Sequence, residues 1–383
     1  MIARSSPLAP RARDAIDWPL LIAVLLIAVI GVVNLYSATS VAKGGLADLY
    51  VTQIYWLVAG GIAAAAATVI DYRHFERLGY VIYGGGILLL VLVFILGRDI
   101  HGAARWIDIG GKDRGFRFQP SEFMKIILAV ALAKYVHDDP KVPVGPGGGG
   151  RTLKDFIVPT LLAAVPFALV ARQPDLGTSL ILLGIFLSIM ALERLRWRSL
   201  VKLVGSLGAI TPVLWAYVLK DYQKRRILSF LNPELDIRGA NWHAHHARVA
   251  IGNGGFSGLG YMRGTQNHYL FIPEQQSDFP FPVFAEDWGF VGAIVLIVLY
   301  TFVILWGLRI ASIAKDRFGA ALAVGVSAMI FWHAFFNLGM VTGVLPIVGV
   351  PLPLFSYGGS SVTTILIGVG LLMNVSMRRH MFA

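Results

Sequence analysis

The chain has 383 residues, of which 56% are hydrophobic and only 14% are charged, a composition that excludes an ordinary soluble protein. It contains no cysteine, which excludes disulfides, thiolate nucleophiles and cysteine-ligated zinc. The formal net charge of +11 does not by itself indicate nucleic acid, because excess Lys and Arg also set the orientation of a membrane protein.

Apolar runs separated by charged gaps follow one another along the chain. A membrane helix needs about 20 mostly apolar residues. By that measure we predict spans near residues 18–38, 54–70, 78–97, 122–137, 155–171, 175–192, 199–218, 284–308, 319–341 and 358–376. The pattern predicts an all-α polytopic membrane protein, a single domain over residues 1–383 with about ten transmembrane helices. A large extracytoplasmic loop, about residues 219–283, is predicted between the seventh and eighth helices.

Basic residues in the short connections predict which way the chain faces. They fall on the same face as the N-terminus, which the positive-inside rule makes cytoplasmic. They are Arg73, Arg77, Arg194, Arg196, Arg198, Arg309, Lys315, Arg317, Arg378 and Arg379. An even number of spans places both termini there. The opposite face receives residues 98–121, 219–283 and 342–357, which are also basic. Two interpretations of the basic residues on this face stay open. Long loops can escape the positive-inside rule, or these cations bind an anionic ligand outside the membrane.

Four carboxylates lie where the large loop enters the eighth span: Glu274, Asp278, Glu286 and Asp287. Asp278 precedes phenylalanines, so we expect its carboxylate at the aqueous edge of an apolar surface, where desolvation raises a pKa towards that of a useful base. A helix cap or an interface anchor would also explain an Asp at this position. Glu286 and Asp287 lie deeper and are expected to pair with Arg or Lys.

A second polar cluster on the same face combines residues 102–108 with residues 118–125. Glu122 and Lys125 are three residues apart, so they share a helix face and could neutralise each other at the membrane boundary. That ion pair could be purely structural, or Lys125 could instead point at a phosphate. Trp106 could likewise be an ordinary residue of the membrane interface.

Two further segments combine Pro and Gly with polar side chains, residues 172–179 and residues 351–361. Such a composition is typical of broken helices or re-entrant loops, which survive at membrane depth only where they line protein or water. These segments therefore indicate a cavity. Asn337, inside the ninth span, is interpreted as a hydrogen-bonding contact between helices in preference to a cavity donor.

Two apparent motifs are better explained without a ligand. His243, His245 and His246 lack a carboxylate at metal-ligand spacing and are interpreted as solvated loop histidines. The glycines between residues 252 and 260 do not form a dinucleotide fingerprint, which needs a strand-turn-helix context. They indicate a flexible or tightly turning loop.

Several of these segments occur in a recognisable order: Gly102-Ala-Ala-Arg-Trp-Ile, Gln119-Pro-Ser-Glu-Phe-Met-Lys, Gln173-Pro-Asp-Leu-Gly-Thr-Ser, Pro273-Glu-Gln-Gln-Ser-Asp-Phe, Asn337-Leu-Gly-Met-Val-Thr-Gly and Ser356-Tyr-Gly-Gly-Ser-Ser. Together they resemble the SEDS family of shape, elongation, division and sporulation proteins, which includes RodA, FtsW and SpoVE. The resemblance covers nearly the whole chain. The short termini are most similar to the RodA branch.

The resemblance implies a ten-helix membrane glycosyltransferase that polymerises lipid II into peptidoglycan strands, for cell wall elongation and cell shape. It implies the bacterial cytoplasmic membrane as location, with the active site on the outer face and both termini in the cytoplasm. The implied partners are a class B penicillin-binding protein, which cross-links the product, and membrane proteins of the elongation complex, with no nucleic acid. The family's essential acid matches Asp278 and its loop tryptophan matches Trp106.

Glycan extension needs a base for the attacking hydroxyl and cations for the departing diphosphate. Asp278 is the predicted catalytic residue. Substrate binding is predicted for Trp106, Lys125, Glu122, Arg105, Arg263 and Glu274, with Lys125 the strongest choice of cation. Arg225, Arg226 and Arg248 are further candidates. A divalent cation such as Mg²⁺ or Mn²⁺ could bridge carboxylate and diphosphate, but no residue is predicted as a metal ligand.

The segment before Asp278 departs from the family pattern. Gln276 and Ser277 stand where many members have His-Thr, and Pro280 follows where they have Ile. A mechanism that needs that histidine is therefore in doubt for this chain. Two other functions stay open: a lipid II flippase or another transporter, which would also use polar residues in broken helices, and a non-enzymatic scaffold for a cell wall synthase.

Overall fold

The computed structural model describes residues 16–40, 48–100, 103–109, 116–139, 153–192, 201, 216, 221–232, 242–269, 271 and 274–378. Its helices are α1 (Trp18–Thr39), α2 (Leu49–Val69), α3 (Tyr72–Leu96), α4 (Pro120–Asp138), α5 (Ile157–Arg172), α6 (Leu176–Ala191), α7 (Asp221–Leu231), α8 (Trp242–Asn253), α9 (Thr265–His268), α10 (Pro280–Ser312), α11 (Arg317–Thr342) and α12 (Gly359–Arg378). A short 3₁₀ helix, Leu153–Phe156, leads into α5.

Within the described residues, seven helices are long and apolar enough to cross a membrane: α1, α2, α3, α5 with its preceding turn, α10, α11 and α12. The predicted spans at residues 122–137 and 175–192 correspond to α4 and α6, whose side chains are largely buried in the bundle. The polytopic helical membrane fold is thereby confirmed. The span predicted at residues 199–218 lies outside the described residues except at 201 and 216, so the total of ten spans and the limits of the large loop stay predictions.

A small antiparallel sheet, which the sequence did not indicate, joins α3 to α4. Its strands are β1 (Arg98–Ile100), β2 (Ala103–Ile109) and β3 (Phe116–Phe118), in the order β1-β2-β3. Asp108 pairs with Arg117 across the second ladder. Two of the strands have only three residues, too few for a period-two pattern to stand out in the sequence. Since β3 ends just before α4, the sheet is attached to the helix that carries Glu122.

Small residues allow α2 and α12 to approach each other closely. A Cβ added to Gly370 would lie 2.3 Å from the carbonyl oxygen of Ala64, so only glycine fits at this crossing. Asn374 donates to the carbonyl oxygens of Ala67 and Ile70 at the end of α2. Close backbone contact and an interhelical amide are the interactions expected where lipid offers no hydrophobic driving force between helices.

The carboxylates of Glu286 and Asp287 fasten the turn after α8 to the first part of α10. Glu286 accepts hydrogen bonds from the N–H and the hydroxyl of Thr265, at 3.0 and 2.9 Å. Asp287 accepts from the N–H of Gly264 at 3.2 Å and from the Ser37 hydroxyl at 2.5 Å. The prediction that these acids pair with Arg or Lys is wrong for the described residues, because backbone and hydroxyl donors already satisfy them.

Glycine is required where this turn crosses α10. Gly289 interrupts the helix with φ 65°, and a Cβ there would lie 2.3 Å from the backbone nitrogen of Gly258. Gly258 itself has φ 83°. Both conformations lie in the left-handed region that glycine adopts at no steric cost. The interpretation of residues 252–260 as a tightly turning segment is confirmed for its C-terminal half.

Gly289→Ala is expected to lower the melting temperature of the detergent-solubilised protein. The new methyl would meet the nitrogen of Gly258, and a non-glycine residue at positive φ costs a further 1 kcal/mol or so, about the scale of a left-handed residue. Gly61→Ala is the matched control, because nothing lies within 4 Å of its added Cβ. Thermal unfolding followed by tryptophan fluorescence compares the two variants, and equal melting temperatures would contradict the crossing.

Candidate active site

Asp278 lies in a turn whose backbone is held at several points. The turn starts at Glu274, which has φ 56°, and its carbonyl oxygen accepts the N–H groups of Ser277, Asp278 and Phe279 at 3.1, 3.1 and 3.2 Å. From α11, the buried Asn337 amide donates to the carbonyl oxygen of Asp278 at 2.9 Å. The carboxylate is thus placed by a fixed backbone and is not carried on a loose loop.

Asn337 also connects this turn to a second segment. Its amide nitrogen donates to the carbonyl oxygen of Val350 at 2.7 Å, in the stretch between α11 and α12. The backbone N–H of Tyr357, farther along the same stretch, donates to the carbonyl oxygen of Gln276 at 2.8 Å. Asn337 thus makes structural hydrogen bonds, but both of its partners are carbonyl oxygens of loop segments, so the prediction of a contact between helices is wrong for these bonds.

The Asp278 side chain faces a cavity of about 280 Å³, here called the Asp278 cavity. Its wall combines β2, the first turn of α4, the start of α6, one residue of α7 and the segment before α12. The polar and aromatic lining residues are Arg105, Trp106, Gln119, Glu122, Asp175, Thr178, Arg226, Ser277, Asp278, Tyr357, Ser360 and Ser361. The segments that indicated a cavity in the sequence do come together around one.

The environment of the half-buried Asp278 raises the pKa of its carboxyl group to about 6. Desolvation is the largest cause, and the negative charges of Glu274 and Asp175 add to it. Arg105 and Arg226 act in the opposite direction and keep the pKa from rising further. A carboxylate with a pKa near 6 is ionised at neutral pH yet basic enough to accept a proton, which suits a general base.

Asp175 is a site residue that the sequence interpretation did not single out. It caps α6 by accepting the N–H of Thr178 at 3.2 Å, and it accepts from the Gln119 amide at 3.1 Å. Arg105 approaches it at 3.9 Å and donates to the carbonyl oxygen of Pro174 at 2.8 Å. An Asp immediately before an apolar helix is a capping signal, but only the fold reveals that this cap also orients an arginine.

Lys125 lies behind the cavity wall and is not part of it. Its fully buried ammonium group contacts the Glu122 carboxylate at 2.7 Å and Nε2 of His333, on α11, at 2.8 Å. Nδ1 of His333 lies 2.8 Å from the carbonyl oxygen of Met329 and is the donor there, so Nε2 accepts from Lys125. Glu122 therefore lines the cavity, whereas Lys125 does not line it and forms an ion pair with the Glu122 carboxylate.

Three of the predicted substrate-binding residues are not among the residues that line the Asp278 cavity: Lys125, Arg263 and Glu274. Arg263 is exposed beside Gly260, in the turn after α8. Glu274 is exposed and accepts a hydrogen bond from the Ser277 hydroxyl at 2.9 Å, so it acts on the site through its charge and through the turn that it begins. The structure brings together Arg105, Trp106, Glu122 and Asp278.

The three histidines predicted in a solvated loop lie on α8 instead. His246 packs between Trp242 and Phe271, with ring centroids 4.1 and 5.0 Å away, and its Nδ1 lies 2.8 Å from the Gln266 side-chain oxygen. Histidine is neither a strong helix former nor a breaker, so the sequence did not indicate this helix. Among the described residues no three His, Asp or Glu side chains converge as a metal site would require.

The structure thus combines a helical membrane bundle with a polar cavity that is lined by a half-buried carboxylate and by two arginines. Comparison with known proteins identifies the family to which the chain belongs. The profile of the FtsW, RodA and SpoVE family, described as cell cycle proteins, matches residues 17–381. The chain belongs to that family.

Individual relatives agree along nearly the full length. The peptidoglycan glycosyltransferase MrdB of Escherichia coli K12 is 37% identical over 350 residues, covering 91% of each chain. The peptidoglycan glycosyltransferase RodA of Treponema pallidum is 33% identical over 441 aligned positions, covering 96% of this chain and 99% of that protein. Stage V sporulation protein E of Bacillus subtilis is 35% identical over 373.

Solved structures share the fold. One chain, from a peptidoglycan synthase complex that coordinates polymerization and crosslinking, superposes with a TM-score of 0.78 at 32% identity, covering 96% of this chain and 99% of that one. The crystal structure of RodA from Thermus thermophilus gives a TM-score of 0.68 at 30% identity, with 96% and 98% covered.

Lys125→Met is expected to destabilise the protein by about 3–5 kcal/mol, because it leaves the Glu122 carboxylate buried without a counter-charge. Replacing both members, with Glu122→Gln and Lys125→Met, should recover much of that loss. Lys134→Met, on the same helix, breaks the more exposed pair with Asp138, at 3.0 Å, and a cation–π contact with Tyr80, and should cost about 1 kcal/mol. Urea or thermal unfolding in detergent measures all three variants. A Lys125→Met protein as stable as Lys134→Met would show that the buried pair contributes nothing.

Proposed function

We propose that the chain polymerises lipid II into peptidoglycan strands, with Asp278 as the general base. The observation that carries this proposal is a carboxylate of raised pKa fixed at the edge of a cavity that also holds two arginines. MrdB of Escherichia coli and RodA of Treponema pallidum are peptidoglycan glycosyltransferases, and the chain is an enzyme of that class. The residues of the Asp278 cavity supply the parts that glycan transfer requires.

In the proposed reaction, Asp278 accepts the proton of the sugar hydroxyl that attacks the anomeric carbon of a second, diphosphate-linked sugar. The bond between that carbon and the diphosphate oxygen breaks, and the diphosphate leaves with the electron pair. Arg226 lines the same cavity and attracts the developing negative charge, and Arg105 favours the ionised form of Asp278. Trp106 offers an aromatic face to a sugar ring, and Glu122 is positioned to accept a hydrogen bond from a hydroxyl.

A divalent cation has no protein-built site in the described part of the chain, since no three suitable side chains converge. Mg²⁺ or Mn²⁺ would have to be bound mainly by diphosphate oxygens, the hard ligands that these ions prefer. No step of the reaction is assigned to such an ion.

We place the enzyme in the bacterial cytoplasmic membrane, with the Asp278 cavity on the outer face and both termini in the cytoplasm. The basic short connections support this orientation. A class B penicillin-binding protein is the partner we propose, together with membrane proteins of the elongation complex. A similar solved chain comes from a complex that coordinates polymerization and crosslinking, which supports a transpeptidase partner.

Asp278→Asn is expected to abolish polymer formation from purified, labelled lipid II, with a loss of at least about 10²-fold, the lower end of general-base contributions. The amide keeps the size of the side chain and removes its ability to accept a proton. Glycan chains separated on gels are the readout, and the binding of lipid II should be retained. Polymer formed at the wild-type rate by Asp278→Asn would contradict its role, and movement of lipid II across vesicles without polymer would favour a transporter.

The rate of polymerisation is expected to fall as the pH is lowered through about 6, because Asp278 must be ionised to accept a proton. Glu274→Gln removes a negative charge that raises this pKa, so its rate profile should move to lower pH. Arg105→Gln removes a positive charge that lowers the pKa, so its profile should move to higher pH. Initial rates at saturating lipid II test both directions, and shifts of the same sign would contradict the assignment.

A further inference from the structure

A second cavity, of about 260 Å³, lies on the other side of Arg226 and is here called the Arg248 cavity. It is formed by α7, α8 and the end of α11 with the residues that follow. Arg226 lines both cavities, and no other described residue does. The two spaces are therefore neighbours separated by one arginine side chain.

The segment between α11 and α12 forms the rest of the partition between the cavities. Leu345, Pro346 and Ile347 line the Arg248 cavity, whereas Val348, Gly349 and Pro351 line the Asp278 cavity. The change from one cavity to the other occurs between the consecutive residues Ile347 and Val348, so the chain passes between the two cavities at that point. Asn337 holds it in place through Val350. A ligand in one cavity would therefore be a neighbour of a ligand in the other, with Arg226 in contact with both spaces.

The charges of the two cavities differ. Among described lining residues the Asp278 cavity has three carboxylates, Glu122, Asp175 and Asp278, against two arginines. The Arg248 cavity has Arg226 and Arg248 and no carboxylate among its described lining residues. An anionic group is therefore favoured in the Arg248 cavity, whereas a neutral sugar whose hydroxyl must lose a proton is favoured beside Asp278.

Arg248 is placed at the mouth of its cavity by its own helix. Its Nε donates to the carbonyl oxygen of Ala244 at 3.3 Å, and the side chain lies against Gly343, where an added Cβ would come within 3.2 Å of Arg248 Cδ. Gly343 ends α11 with φ 80°, a conformation that favours glycine. Planar guanidinium groups match phosphate oxygens in geometry, which a lysine at the same position would not.

The remaining wall suits a hydrocarbon chain. Phe230, Met340, Leu345 and Ile347 present apolar surface next to the two arginines. His243 also lines the cavity, and burial lowers its pKa, so at neutral pH it offers a neutral imidazole. Its ring stacks on Phe279, the residue after Asp278, at a centroid distance of 5.8 Å. Anion-binding groups and apolar surface in one cavity are the features expected of a site for a lipid diphosphate.

We propose that the Arg248 cavity binds the polyprenyl diphosphate of the glycosyl donor, and that the Asp278 cavity binds the acceptor sugar. This assignment rests on the proposed function and divides its two substrates. The acceptor oxygen forms a bond to the donor's anomeric carbon, and its proton passes to Asp278. The bond to the diphosphate breaks, and Arg226 and Arg248 hold the departing diphosphate. Arg226, between the cavities, then contacts the group in which charge develops during the reaction.

Binding of undecaprenyl diphosphate, which carries no sugar, tests the assignment without requiring turnover. Native mass spectrometry of the full chain compares it with undecaprenol and with phosphatidylglycerol. Arg248→Gln is expected to weaken diphosphate binding at least about ten-fold and to leave undecaprenol binding unchanged, because only the charged head group loses a partner. Lys224→Gln is the matched control, since Lys224 lies on α7 but does not line the cavity, and it should bind like the wild type.

A photoreactive polyprenyl diphosphate on the wild-type protein supplies a measurement that needs no variant. Labelled peptides are expected from α7, α8 and residues 343–347. Labelling confined to the outer surfaces of α2 and α3, unaltered diphosphate affinity in Arg248→Gln, or equal competition by phosphatidylglycerol would overturn the inference. A wild-type protein that forms no polymer would instead contradict the proposed function, so the two failures are distinguishable.

Discussion

The hydrogen bonds donated by the Asn337 amide hold together the parts on which the site depends. One bond fixes the carbonyl oxygen of Asp278 and the other fixes Val350, within the segment that separates the two cavities. Because Asn337 is fully buried in α11, the loss of either bond would leave polar atoms without water to replace it. Asn337 therefore fixes the Asp278 turn and the segment between the cavities to the same helix.

A second set of polar contacts supports this arrangement from the other end of the turn. Glu286 and Asp287 are buried at the start of α10, where an unpaired charge would be costly. The backbone N–H groups of Met262, Gly264, Thr265 and Gln266 donate to these two acids, so the described contacts of the acids hold a loop in place and are not ion pairs. Gly258 and Gly289 lack side chains at the crossing of this loop with α10, so the loop backbone can approach the helix closely enough for these bonds to form.

The sequence predicted most of the spans because apolar length is a local property that the bilayer imposes on each helix separately. It also singled out Asp278, Arg105, Trp106 and Glu122, which line one cavity in the structure, because polar residues near a membrane edge are costly and therefore informative. Partners farther along the chain were not predictable. The contact of Lys125 with His333 joins residues 208 positions apart, and the sheet strands are too short to be recognised.

Arg226 illustrates why a list of cations cannot be ranked from sequence. From the sequence, Lys125 was the strongest candidate to bind phosphate. In the structure its ammonium group instead contacts the buried Glu122 carboxylate and the imidazole of His333. Arg226 belongs to no recognisable sequence motif. Only the fold shows that it lines both the Asp278 cavity and the Arg248 cavity. Arg226 lowers the pKa of Asp278. In the reaction proposed above, the same side chain also attracts the diphosphate as charge develops, so it couples proton acceptance in one cavity to departure of the leaving group in the other.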